Sequence, residues 1–571
     1  MLDWPRTRGY RAARSGQRVG TGLVADTNRL SAFRPVGRVT GWPGKQVARR
    51  LVILPFVFGL YACASTASRS PEDATAALDR DMLETGLGDI DSIYITEQNI
   101  PELTLVGMQQ LSTLDPDLSV EGDSDELKLL LKKTVIETET LADGEDATAK
   151  QWGKAAAKIL REAREKSPKV TAAGNEKIYE AIFTGIVGKL DGFSRYAGTE
   201  AAREDKASRD GFGGIGIRIS VEDGEVRITA IMHYTPAERI GLKRDDIILK
   251  IDGKSVDGLT QQQVVNELRG EVDSRVTLTL LRDGKDEPFD VSVKRAHVVP
   301  ETVSYRREGD VAYFRVFSFN SETANSLKRE INDAKDEIGK KIKGYILDLR
   351  NNPGGYVPQS VATANLFLDE GRIVSIHGRH PDSHQYFEAT DGDIASGKPI
   401  AVLIDGNSAS AAEIVAAALQ DNGRAVLIGS NSYGKGTVQN IKPLPNDGEI
   451  KLTWARFHAP SGYTLHHLGV LPTICTSGQH DSDALLKELR QGDLPTVPMA
   501  KRNAAKPDDT EALDALRQSC PARKNEDPID LELALKLIDQ PNLYANAVDL
   551  ADPPEDAQVD DAAEALLPFV P

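Results

Sequence analysis

Five consecutive apolar residues, Ile400-Ala401-Val402-Leu403-Ile404, end on Asp405 and the small-residue turn Gly406-Asn407-Ser408-Ala409-Ser410. From Ala411 to Leu419 the pattern turns helical, with Ile414, Val415, Ala418 and Leu419 on one face. A short run with no polar position reads as a buried strand. Apolar segments at Val311 to Val316, Gly344 to Leu349 and Ala425 to Gly429 also alternate with helical stretches, which predicts an α/β unit. The turn puts a serine at a helix N-terminus. There, unpaired N–H groups and the helix dipole can stabilise an oxyanion, although a serine in that place can equally be a plain N-cap.

Two further segments supply chemistry. In Tyr433-Gly434-Lys435-Gly436-Thr437-Val438-Gln439, Lys435 stands between glycines that leave room for close approach. A lysine acts as a general base only when desolvation lowers its pKa towards neutrality. If the stretch is extended, the spacing of four puts Gln439 on the same face, where its amide can orient the amine. Leu349-Arg350-Asn351-Asn352-Pro353-Gly354-Gly355 follows an apolar segment and offers glycine amides as a second oxyanion donor.

A chain of 571 residues exceeds one hydrophobic core, so several units are expected. Positions 65–206 read as a helical N-terminal region from the recurrence of Leu127, Leu130, Leu131 and Val135, of Ala156, Ile159 and Leu160, and of Ile178, Ile182 and Ile186. Positions 207–297 change to short alternating strands, with a hairpin signal at Arg282-Asp283-Gly284-Lys285 and a T-x-x-Q capping box opening a helix at Thr260. Gly211-Phe212-Gly213-Gly214-Ile215-Gly216 matches the dinucleotide-loop spacing but opens a strand rather than a helix, because Ile215, Ile217 and Ile219 alternate with Gly216, Arg218 and Ser220. A glycine loop beside an exposed strand edge suits a terminal carboxylate and an extended peptide.

That loop, followed by Thr235-Pro236-Ala237-Glu238, Gly241-Leu242 and Asp246-Ile247-Ile248-Leu249-Lys250-Ile251-Asp252-Gly253, resembles a PDZ domain, with Phe212, Gly213, Gly214, Ile215, Gly216 and Ile217 as the peptide-binding strand and loop. Together with the Ser410, Lys435 and Gly354 segments it is similar to the C-terminal processing (tail-specific) serine peptidases over roughly positions 191–473. The resemblance implies a serine endopeptidase that captures protein C-terminal tails and cuts near them. It makes Ser410 the nucleophile, Lys435 the general base, Gln439 the orienting amide and Asp421 a supporting acid, with the amides of Ala411 and Gly354 as oxyanion donors. No cofactor is implied. The sequence departs from the common pattern with Asn407 before the first serine and Ala412 where a third serine often stands. The fold expected is multidomain α+β: a leader at 1–64, the helical region at 65–206, the PDZ domain at 207–297, an α/β Ser/Lys protease core at 298–479 and a charged helical C-terminal extension at 480–571. That extension, with its acidic, Pro-containing tail from Asp552 to Asp561, reads as solvated or partly disordered.

Other readings compete. His458, His466 and His467 could serve a Ser-His-Asp arrangement, but none has a triad context, and His377, His380 and His384 read as a solvated loop rather than a metal cluster. A noncatalytic PDZ scaffold for envelope-protein C-termini is the alternative of another class. The net charge of −17 argues against a nucleic-acid partner, because phosphate binding wants a basic face.

The first fifty residues hold ten Arg against Asp3 and Asp26, and the apolar run Leu51 to Ala64 follows. At fourteen residues the run is shorter than a membrane span, which takes about twenty, and it reads as a secretory signal with Lys45, Arg49 and Arg50 before it. Cleavage near Ala64, lipidation at Cys63 and an uncleaved anchor all fit. Any membrane attachment is expected only through this N-terminus, and the location is the periplasm or cell envelope. Cys475 and Cys520 are then left as a disulfide pair or as two free thiols. Protein substrates with accessible C-termini are the expected partners, with a homo-oligomer or adaptor left open.

Overall fold

The computed structural model describes residues 71–143, 147–390, 392–494 and 499–551. Cys63, the Leu51 to Ala64 run and the tail from Asp552 to Asp561 lie outside the described residues.

The N-terminal region packs the helices Pro71–Ile93, Ile100–Gln109, Ala149–Lys166 and Asn175–Val187 around Met82, Leu83, Trp152, Tyr179 and Phe183. Thr148 starts Ala149–Lys166 with a capping box to Gln151. One stretch read as helical is a sheet: Leu118–Gly122, Glu126–Leu131 and Thr134–Thr140 form an antiparallel meander. Leu127 and Leu129 are buried at strand period, whereas Leu127, Leu130 and Leu131 fit a helix only by spacing. Lys132 and Lys133 both take positive φ, making the tight turn that a helix would forbid. The same core includes Ile450 and Leu452, so this region packs on the strand Glu449–His458.

The strands Phe289–Lys294, Arg275–Leu281, Ile247–Ile251, Glu225–Ile231 and Ile217–Glu222 form an antiparallel sheet in that order, and the helix Gln261–Leu268 packs against it through Val264 and Leu268. Its capping box is Thr260 with Gln263. Phe212–Gly214 pairs instead with Ala296–Val298 in a separate ribbon.

A six-stranded sheet runs Val303–Glu308, Val311–Val316, Gly344–Asp348, Ile400–Ile404, Val426–Gly429, Ile474–Cys475, parallel throughout except for its first pair. Ile400, Val402 and Ile404 face the helices Thr323–Ile338, Val357–Asn365 and Ala411–Asp421, while Ala401 and Leu403 face the opposite side. That opposite side is covered by the helices Ser482–Gln491, Pro528–Ile538 and Pro541–Asp549. The described part of the C-terminal extension is therefore a structural layer rather than a solvated appendage. A mainly parallel sheet whose central strands are buried on both sides needs both faces covered, and charge on the outer side of those helices hid their apolar stripe. A disulfide joins Cys475 on the last strand to Cys520.

A second antiparallel sheet, Gln385–Glu388, Arg372–Gly378, Glu449–His458, Thr437–Pro443, with Arg195–Ala197 paired to Glu449–His458, carries the segment after Lys435.

Candidate active site

Ser410 is the N-cap of Ala411–Asp421, at φ 56° and ψ −115°, a conformation that L-residues rarely adopt and that persists only where surroundings impose it. The two serines of the turn differ sharply. Ser408 is fully buried; its Oγ donates to the Leu349 carbonyl at 2.9 Å and accepts the Asp405 N–H at 2.9 Å. It is a turn lock, and its hydroxyl is spent. Asp405 accepts the N–H groups of Asn351, Asn407 and Ser408, so one carboxylate gathers the two loops that meet at the serine. Burial raises its pKa.

Ser410 and Lys435 are tied together by a residue that sequence reading missed. Glu413, fully buried, accepts the Ser410 N–H at 2.7 Å and the Lys435 N–H at 3.0 Å on one oxygen. On the other it accepts the Gly434 N–H at 2.7 Å and the Ser432 hydroxyl. Desolvation raises its pKa, and the four donors oppose that rise without cancelling it. The signal was present, since Ser410-Ala411-Ala412-Glu413 has the spacing of a capping box, and an acid among alanines on a buried helix needs a purpose.

The Lys435 amine lies 5.2 Å from the centre of the Phe193 ring. Burial lowers its pKa, the Arg195 charge lowers it further, and Glu413 and Asp191 oppose them. Asp191 accepts the N–H groups of Phe193 and Ser194 and the Tyr94 hydroxyl, which fixes the turn that carries Phe193 against the lysine. Nothing local in the sequence announces this turn, because it reaches the site from far upstream.

Gln439 is not laid beside Lys435 by strand alternation. The strand begins only at Thr437, and its register shifts between Val438 and Gln439, so the parity argument fails. The Gln439 amide donates to Thr437 Oγ1 at 3.0 Å and Thr453 Oγ1 at 3.2 Å. Asp421 is not at the site at all. It ends the helix that Ser410 begins, about 15 Å away at 1.5 Å per residue, where it pairs with buried Arg502 at 2.8 Å and accepts from Ser461.

Gly354 sits directly on the turn: a Cβ there would lie 2.8 Å from the Ser410 Cβ and 2.9 Å from the Ala411 nitrogen, at φ +94°. Only glycine fits. Its N–H donates to Asn352 Oδ1 at 2.8 Å, so in this conformation it is committed within the chain, whereas the Ala411 N–H is a first-turn helix amide. No histidine hydrogen-bonds the Ser410 side chain. The His466 ring packs edge-on to Phe193, and burial lowers its pKa to about 4. His377 packs edge-on to His384 and His458, and His380 stands beside Asp382.

In the β-rich unit a groove of about 380 Å³ runs between Ile217–Glu222 and Gln261–Leu268, lined by Phe212, Gly214, Ile215, Gly216, Ile217, Val265 and Leu268 among others. Arg269 stacks over Phe212 at 4.3 Å and pairs with Glu204 at 2.7 Å. Gly213 is turned away from the groove. Its carbonyl accepts the Gly270 N–H, and a Cβ on it would strike the Gly270 oxygen at 1.9 Å.

Residues 310–476 match Peptidase family S41, and residues 213–293 match the PDZ domain. A carboxy-terminal-processing protease of Bartonella bacilliformis is 41% identical over 307 residues, covering 53% of this chain and 71% of that protein. Carboxy-terminal processing protease CtpA of Bacillus subtilis is 36% identical over 304 residues, covering 52% of this chain and 64% of that protein. A solved structure of a photosystem II D1 C-terminal processing protease aligns with TM-score 0.33 and 24% identity, covering 67% of this chain and 94% of that one.

Proposed function

The chain belongs to the carboxy-terminal processing proteases of peptidase family S41, and on that premise we propose that it captures protein C-terminal tails in its PDZ groove and cuts near them with Ser410 as nucleophile and Lys435 as general base. The observation that carries this reading is Glu413. One buried carboxylate holds the backbone of both residues, which supports their acting as a pair. The half-buried lysine, its charge disfavoured by burial and by Arg195, suits proton abstraction from the serine hydroxyl. The attacked carbonyl oxygen would then lie against the Ala411 N–H and, once its bond to Asn352 is released, the Gly354 N–H. Gln439, held by two threonines, would steady the lysine side of the site. The apolar signal-like run and the disulfide favour work in the cell envelope, outside the reducing cytosol.

Activity is expected to rise with pH from neutral into the alkaline range and then level. The neutral amine is the reactive form, and its lowered pKa brings that rise below the ordinary lysine range. His466, with its pKa near 4, stays neutral throughout and contributes no limb. Initial rates between pH 6 and 10 check this; a flat profile rules out a titrating base.

Tail capture is tested with one peptide made as free acid and as amide. Losing a charge-assisted contact costs about 1.5 to 3 kcal/mol, so amidation is expected to lower kcat/KM between about tenfold and a few hundredfold. Gly214→Val should mimic it, because a Cβ at 214 would meet the Phe212 ring at 2.7 Å in the groove wall. Equal kcat/KM for both peptides in the wild type removes the carboxylate-reading role and leaves the Ser410 and Lys435 assignment standing.

A further inference from the structure

The turn carrying Ser410 is held from outside the family-matched segment. Residues 520–530, which follow the helix Thr510–Ser519, run as a strap across the loops that meet at the site. Its start is fastened by the disulfide to the edge strand and its end by Asp530, buried, to Arg350, Arg523 and Thr476. Between these anchors the Arg523 carbonyl accepts the Gly406 N–H at 2.7 Å, and the Lys524 carbonyl accepts from the Asn407 side chain at 2.8 Å. The same Asn407 amide donates to Asn351 Oδ1 at 2.6 Å. Asn351 in turn donates its own side-chain amide to Glu526 Oε1 at 2.8 Å. Glu526 is pinned by both terminal nitrogens of Arg315, and Arg350 approaches it at 3.7 Å.

From Asn351 the connections lead directly into the site. It has φ 58°, a left-handed backbone state that Asn adopts more readily than most residues, and its neighbour Asn352 accepts the Ala409 N–H on its carbonyl and the Gly354 N–H on its side chain. Asn407 adds a direct bridge, its one side-chain amide bonding both the Lys524 carbonyl of the strap and Asn351 of the neighbouring loop.

We propose that Glu526 is a positioning residue for the peptidase reaction, acting through Asn351 and Asn407 to hold the Gly354 and Ser410 turns in register for attack. The proposal rests on the peptidase reading for its kinetic effect, but its physical core, coupling of the strap to the Ser410 turn, does not. Glu526 touches no reacting atom. Its carboxylate remains charged at working pH, because Arg315 pulls its pKa down to about 2.

The test compares Glu526→Ala and Glu526→Gln in the full chain, with the free-acid peptide as substrate. Misplacing a catalytic group by about 1 Å costs on the order of 10²-fold, so Glu526→Ala is expected to lower kcat between about tenfold and a hundredfold. KM and the thermal midpoint should stay near wild type. Glu526→Gln, which keeps an acceptor for Asn351, should recover most of that loss. Asn351→Ala added to Glu526→Ala should cost less than Asn351→Ala does alone, since the two changes share the Glu526–Asn351 link and only the Asn351 change also cuts the bond from Asn407. Hydrogen exchange of the segments 350–356 and 404–412 should quicken in Glu526→Ala and return towards wild type in Glu526→Gln. A Glu526→Ala enzyme within twofold of wild type in kcat, or one whose loss lies wholly in KM, overturns the proposal. If the wild type cuts nothing, the peptidase reading has failed instead, and exchange decides alone: unchanged exchange at 404–412 overturns the coupling, and faster exchange upholds it.

Discussion

Ser410→Ala and Lys435→Ala are each expected to lower kcat by about 10⁴-fold or more while the protein stays folded, because nucleophile and base act as one unit and removing either removes the step. The double variant should be hardly worse than either single one. Ser408→Ala separates the two serines. Its hydroxyl carries two buried hydrogen bonds, so the cost should fall on stability, about 1 to 3 kcal/mol, with the chemistry retained. Cleavage of a disordered protein and thermal melts, run on all four variants, check the whole set. An active Ser410→Ala beside an inactive Ser408→Ala would move the nucleophile by two residues.

Glu413→Ala is expected to have the second largest effect, on folding and activity together. It strands the Ser410, Gly434 and Lys435 N–H groups and the Ser432 hydroxyl inside a fully buried site. An unsatisfied buried donor costs about 1 to 3 kcal/mol, so a total loss above about 3 kcal/mol is expected even if local relaxation rescues some of them. Glu413→Gln has the shape but donates where two of its partners also donate, and it should recover only part of the loss. Denaturant titration in the Ser410→Ala background avoids self-cleavage and reads stability alone. Wild-type stability in Glu413→Ala would mean the loops are held by other contacts, with Asp405 and the C-terminal strap the next candidates.

The catalytic unit was legible because its determinants are local. An apolar run, a small-residue turn and a helix pattern are contiguous in sequence, and the Lys435 and Gly354 segments are short and glycine-marked. The same locality misled at Leu127 to Val135, where apolar spacing fits either period and the turn at Lys132 and Lys133 decided for strands. Gln439 was placed near the lysine segment, but by a parity rule that the bulge at 438 and 439 breaks. Asp421 was carried over by its place in a motif, and a helix of eleven residues puts its two ends far apart.

Neighbouring residues alone mark the groups that can do chemistry: a serine at a helix start, a lysine between glycines, and a glycine loop that opens a strand. These are properties of neighbouring residues, governed by backbone sterics and side-chain period. Their surroundings come from packing between distant segments. Phe193 and Arg195 reach Lys435 from the N-terminal region, Glu413 joins two loops across the helix start, and the C-terminal helices close the second face of the sheet. The reason is that burial, and the pKa shift it causes, depends on what packs from every side. That packing is set by segments distant in the chain, whose charged outer faces conceal the apolar inner ones.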